Sequence, residues 1–127
     1  MLERVALGLL MAGLVTGTAW ADGDAKKGEQ VFKKCQACHV IDKEQNRVGP
    51  HLKGIVGRPI AAAQGFNYSD SFKEAAKNGM VWTPENISKY LENPKDFIPK
   101  NKMAFPGLKS EDEREDVIAY MQQAGSS

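Results

Sequence analysis

The chain has 127 residues, 17 Lys and Arg against 16 Asp and Glu, a formal net charge of +1, and only two cysteines and two histidines. That length admits one domain at most, and a charge so close to zero argues against nucleic acid as a partner. At the start, Glu3 and Arg4 precede an uncharged, mostly apolar run from Val5 to Val15, and Ala19-Trp20-Ala21 carries the small-x-small pattern of a secretory cleavage site. The run is short and interrupted by Gly and Thr, whereas a permanent span wants about 20 apolar residues. Residues 1–21 are therefore expected to be a cleaved signal peptide and residues 22–127 the exported, periplasmic domain, with an uncleaved membrane anchor as the alternative. Loss of Glu3 and Arg4 together leaves the net charge at +1.

Asp24 is placed to cap a first helix from Ala25 onward, with Gly28, Val31, Phe32 and Cys35 spaced i, i+3, i+4, i+7 on one face. A glycine in mid-helix costs up to about 1 kcal/mol against alanine, so a close helix crossing at Gly28 is the expected compensation. From Val40 to Ser71 no helical or strand period persists, and Gly49-Pro50, Gly54, Gly57, Arg58-Pro59 and Gly65 punctuate the stretch. So long a structureless segment in a small domain requires something else to pack on. A large planar cofactor would let Leu52, Ile55 and Phe66 pack on it rather than on one another. A short helix is expected from Asp70 to Asn78, closed by Gly79. Thr83-Pro84 then supplies a cap and a proline for the first turn of the next, whose inward stripe is Ile87, Tyr90 and Leu91 and which Asn93-Pro94 stops. Between Pro94 and Pro106, with Pro99 between them, no period is sustained, and the segment reads as a rigid loop. Ser110-Glu111-Asp112-Glu113 is a capping box, and Val117, Ile118, Tyr120 and Met121 give the last helix its buried side.

The pentapeptide Cys35-Gln36-Ala37-Cys38-His39 has the C-x-x-C-H spacing of a c-type haem attachment site. Two thiols must add across the two vinyl groups of one porphyrin edge while the next side chain turns under the ring to the iron. The rival readings of the cysteines want more. A structural zinc site needs four Cys or His ligands, and His51 has no ligand spacing to the first pair; a thioredoxin-like site needs a βαβ pattern; a disulfide across two residues constrains the unfolded chain very little. With His39 as one axial ligand, Met103 in the loop Lys102-Met103-Ala104-Phe105-Pro106 is the candidate for the other, the alternative being a core methionine. Lys33, Lys34, Lys95, Lys100, Lys102 and Lys109 flank these two segments, whereas Glu111 to Asp116 form an acidic cluster, so a molecular dipole with lysines around the cofactor edge is expected and the acids facing away. Ordinary solvated surface is the plain alternative.

In order along the chain, these motifs resemble those of the class I cytochromes c, close to the mitochondrial protein and the bacterial cytochrome c2 group. The resemblance runs from Gly28 to Phe32 and the haem motif through Gly49-Pro50-His51-Leu52-Lys53-Gly54-Ile55-Val56-Gly57-Arg58, Phe66-Asn67-Tyr68-Ser69-Asp70 and Trp82. It continues through Tyr90-Leu91-Glu92-Asn93-Pro94-Lys95 and Ile98 to Phe105, and ends at Asp116 to Tyr120. The chain is one residue shorter than the mitochondrial proteins between His39 and Pro50 and a few residues longer between Tyr68 and Trp82, and the second difference points to a bacterial member. The resemblance implies an all-α fold of short helices and long loops wrapped around one covalent haem c, with iron ligated by His39 and Met103. Pro50 would accept from His39, while Arg58, Tyr68 and Trp82 would face a haem propionate. Tyr90 would lie near the Met103 sulfur, Asn101 would tie down the ligand loop, and Phe105 would belong to the cofactor's surroundings. For Trp82 and Tyr90 the alternative is core packing. The implied function is monomeric single-electron transport between membrane redox complexes with acidic docking faces, without a small-molecule substrate. The alternative is a small haem peroxidase or ligand-binding sensor with an open sixth position.

Overall fold

The computed structural model describes residues 23–125; the leader and its cleavage site lie outside them. Five helices occur in this span: α1 (Ala25–Phe32), α2 (Asp70–Lys77), α3 (Pro84–Glu92), α4 (Pro94–Phe97) and α5 (Glu111–Gly125). No strand forms among the described residues; a single antiparallel bridge joins Pro59 to Val81. None of these helices is long and apolar enough to cross a membrane.

Local chemistry sets most helix ends. Asp24 accepts hydrogen bonds from the backbone N–H groups of Lys26 and Lys27, and Ser69 and Thr83 do the same for Phe72 and Asn86. Gly79, at φ +76°, carries the chain out of α2 in the left-handed conformation. At the start of α5 the Ser110 hydroxyl accepts from the Glu113 N–H. One expectation needs correcting. The segment after Pro94 opens with a one-turn helix, α4, because Pro94 occupies its first position and the Asn93 carbonyl accepts from the N–H groups of Asp96 and Phe97. A single turn is too short to leave a hydrophobic period.

The fold is organised by the crossing of α1 and α5, the most extensive helix pair among the described residues. A Cβ on Gly28 would lie 1.9 Å from the Asp116 carbonyl oxygen, so only a bare backbone allows the approach. Phe32 packs beside it against Tyr120, ring centroids 5.3 Å apart. Phe32, Val117 and Ile118 are fully buried there. The long segment between α1 and α2 has no regular structure, yet its backbone is anchored. Gly57 N–H donates to the Trp82 carbonyl, Trp82 N–H to the Arg58 carbonyl, and Ile60 N–H to the Met80 carbonyl. These bonds position Arg58 and Trp82 together at one side of the interior.

Candidate haem site

Beyond Phe32 the chain continues in tight turns. Cys35 N–H donates to the Phe32 carbonyl, and both Cys38 and His39 N–H groups donate to the Cys35 carbonyl. This coil keeps Cys35, Cys38 and His39 on one side of the backbone, with the two thiols half-buried and not joined to each other. Burial pushes the Cys35 thiol up to about 11, against a lowering by Lys34 and with a small further rise from Cys38. The His39 Nδ1 lies 2.7 Å from the Pro50 carbonyl oxygen. A carbonyl only accepts, so the proton sits on Nδ1 and Nε2 keeps its lone pair. Burial holds the imidazole below its usual range, and the Arg58 charge adds to this against the opposing bond to Pro50. A Cβ on Gly49 would come 2.5 Å from the His39 ring, so glycine there lets the backbone pass over the imidazole and deliver the Pro50 carbonyl.

Cys35, Cys38, His39 and Met103 line one predominantly apolar cavity of about 290 Å³. Its walls include Leu52, Ile55 and Phe66 from the irregular segment, which thus face a common space, together with Tyr90 and Phe105. Phe72 and Ser69 also line it; sequence reasoning missed both, although Phe72 falls on the first turn of the helix expected from Asp70. Met103 is held from two sides. The Asn101 Oδ1 accepts from the Met103 N–H at 2.9 Å, while the Asn101 Nδ2 donates to the carbonyls of Pro94 and Ile98. The Tyr90 hydroxyl donates toward the Met103 sulfur at 3.7 Å, and burial raises this phenol far above its ordinary value, so it stays a donor.

Arg58, Tyr68 and Trp82 also line the cavity. The Tyr68 oxygen accepts from the Ala63 N–H at 3.0 Å, leaving its own proton available to donate. Arg58 Nη1 donates to the Lys53 carbonyl at 3.1 Å, but its Nε is buried with no hydrogen-bond partner. A guanidinium N–H without an acceptor is costly, and an anionic carboxylate would satisfy it. Two thiols, an imidazole lone pair, a thioether and an orphaned cationic donor around one apolar cavity fit a haem with its propionates.

The flanking lysines are less free than their sequence positions suggest. Lys34 and Lys102 border the cavity. Lys34 Nζ pairs with Glu113 at 3.4 Å, which corrects the expectation that the acidic start of α5 faces wholly away. Lys102 donates to the Asn67 carbonyl, Lys95 to the Asn101 carbonyl and side chain, and Lys109 to the Glu92 carbonyl. Lys33 and Lys100 are exposed. Sequence reasoning also missed Arg114, buried within the acidic run, whose Nε and Nη1 donate to the Ser88 hydroxyl and the Leu108 carbonyl. No periodicity signals it, because its burial depends on α3 crossing α5.

A helical shell closed around an apolar cavity with a C-x-x-C-H turn in its wall defines a protein built on one covalently attached haem. The cytochrome c family model matches residues 25–125. Cytochrome c2 of Agrobacterium tumefaciens is 44% identical over 84% of this chain and 96% of its own, and cytochrome c-550 of Ancylobacter novellus 49% over 75% and 90%. The solved structure of cytochrome c2 from Rhodospirillum centenum superposes with a TM-score of 0.75 at 44% identity, covering 80% of this chain and 98% of that one. The chain belongs to the cytochrome c family; it has the class I fold, binds one covalent haem c with its iron, and is an electron carrier.

Proposed function

We propose that the protein is an exported, soluble monomer that shuttles single electrons between membrane redox complexes, with His39 and Met103 as the axial ligands of its iron. The donor is a bc1-type complex or a dehydrogenase, and the acceptor an oxidase or a photosynthetic reaction centre. Each has an acidic docking face, and no small-molecule substrate is involved. When bound, the haem iron supplies reversible one-electron chemistry between its ferric and ferrous states. The observation that carries the reading is that His39 and Met103 enter one cavity, each fixed by its own hydrogen bonds. Pro50 keeps the His39 tautomer that presents Nε2 as a donor. The soft thioether of Met103 favours the ferrous state and so a higher potential than a harder ligand would give. Tyr90 holds that sulfur and Asn101 the Met103 backbone, so with His39 and Met103 both holding the iron no coordination position would be left for a substrate.

A peroxidase or ligand sensor needs one position open, and optical spectroscopy separates the two. The ferric protein should show the weak band near the red end of the visible that reports methionine on iron. Met103→Ala should retain covalently bound haem, lose that band, lower the reduction potential and gain peroxidase activity. A potential unchanged in this variant would mean that another residue ligates the iron.

A further inference from the structure

His51 is the second histidine of the chain and has no part in haem attachment, yet it is 7% exposed and packs against Arg58, which lines the cavity. Its Nδ1 is 3.2 Å from the backbone nitrogen of Lys53 and 3.3 Å from Arg58 Nη1. Both of these groups can only donate, so Nδ1 must accept and the ring proton sits on Nε2. The imidazole is thereby kept neutral by geometry. Its own backbone N–H is also occupied, donating to Asn46 Oδ1 at 2.9 Å. Arg58, a lining residue of the cavity, is thus gripped through Nη1 by the His51 ring and the Lys53 carbonyl, which leaves Nε as its buried, unpartnered donor.

The geometry points to His51 as a positioning residue for Arg58 and as the proton site that couples the haem reduction potential to pH. As a neutral acceptor it steadies the guanidinium for a carboxylate of the cofactor. Once protonated it can no longer accept from Arg58, and it adds a positive charge beside the guanidinium. Arg58 keeps its bond to the Lys53 carbonyl, so the added charge decides the sign. Ferric haem carries one more positive charge than ferrous, so a proton on His51 disfavours oxidation and raises the potential; by reciprocity, oxidation disfavours the proton. The charged groups facing the ring are Arg58, Lys53 and Glu44. Burial above all, then Arg58 and Lys53, hold His51 below its ordinary range while Glu44 opposes them, so the effect belongs below about pH 6.5.

This rests on Arg58 facing the haem carboxylates and not on the axial pair, which the red optical band tests separately. The experiment is a potentiometric titration of the holoprotein between about pH 8 and pH 5, with the His51 ring followed by NMR in the ferrous form. The wild-type potential should rise on acidification in step with the His51 titration. His51→Asn, which offers an acceptor without a titrating ring, should keep the neutral-pH potential and lose the acid rise. His51→Leu should lose the rise and also start from a slightly lower potential. An acid rise that survives in His51→Asn would overturn the coupling. Equal neutral-pH potentials in the Asn and Leu variants would overturn the positioning role. Should the Leu variant fail to fold, a wild-type midpoint that does not track the His51 resonances, or a potential in His51→Asn displaced at neutral pH, decides against the proposal.

Discussion

Asn101 is 5% exposed and its side chain ties the ligand loop to α4: the Pro94 and Ile98 carbonyls accept from its amide, and its oxygen takes the Met103 N–H. Asn101→Ala would strand the Met103 N–H and the Ile98 carbonyl, at about 1–3 kcal/mol for a buried group left unsatisfied, while the Pro94 carbonyl keeps its bond from the Ile98 N–H. Because the loss is local, the methionine-to-iron band of the holoprotein should disappear at a lower denaturant concentration than in the wild type, well before the helices unfold. Coincident loss of band and helicity would show that the loop has no separate stability. Residues whose role depends on their own chemistry were legible in the sequence. The thiol pair, the imidazole after it and a methionine among prolines each announce a ligand type, and the structure gathers them around one cavity. His51 and Arg114 were not legible in this way. A lone histidine in a glycine-rich loop and an arginine among acids look solvated, and only the folded path of the chain, which brings the Arg58 guanidinium to one and the Ser88 hydroxyl to the other, makes them bonded.

Among the helices, caps were easier to read than packing. Asp24, Gly79 and Thr83-Pro84 mark their ends through contacts within a few residues, whereas α4 has a single turn and no period to detect. Gly28 is the instructive intermediate, since its helix penalty alone signals a crossing but cannot name the partner. The structure supplies α5, with the Asp116 carboxylate also accepting from the Asp24 N–H at 2.8 Å. Gly28→Ala tests which effect wins. Alanine gains up to about 1 kcal/mol of helix propensity. Its methyl must nevertheless displace the Asp116 carbonyl and the Tyr120 Cβ, and overpacking of this kind typically costs about 1–3 kcal/mol. Neither neighbour is a flexible chain end, so a net loss of stability is expected, read as a lower midpoint in denaturant unfolding of the holoprotein. A midpoint equal to or above the wild type's would mean that the crossing relaxes freely.

Taken as a whole molecule, the carrier has to bring its cofactor edge to a partner quickly and then let go. Such complexes bury little surface, so steering by charge counts for more than holding. Lys34 and Lys102 border the cavity, and both donate to neighbours. The Lys34 partner is the unusual feature, because Glu113 places a negative charge on the face that should attract an acidic surface. Both side chains of this pair remain substantially exposed, 56% and 41%, so the pair adds little to stability and its main effect is to cancel part of the local field. Glu113→Gln should therefore leave the unfolding midpoint nearly unchanged while raising the bimolecular rate with an acidic redox partner at low salt. Lys34→Glu and Lys102→Glu should lower that rate far more than Lys77→Glu or Lys89→Glu. Raising ionic strength should draw all the rates together, since a Debye length of about 10 Å at 0.1 M screens steering of this range. Stopped-flow measurement across a salt series decides the matter. Rates indifferent to salt, with Glu113→Gln matching the wild type, would mean that docking is apolar and that the lysines are ordinary surface.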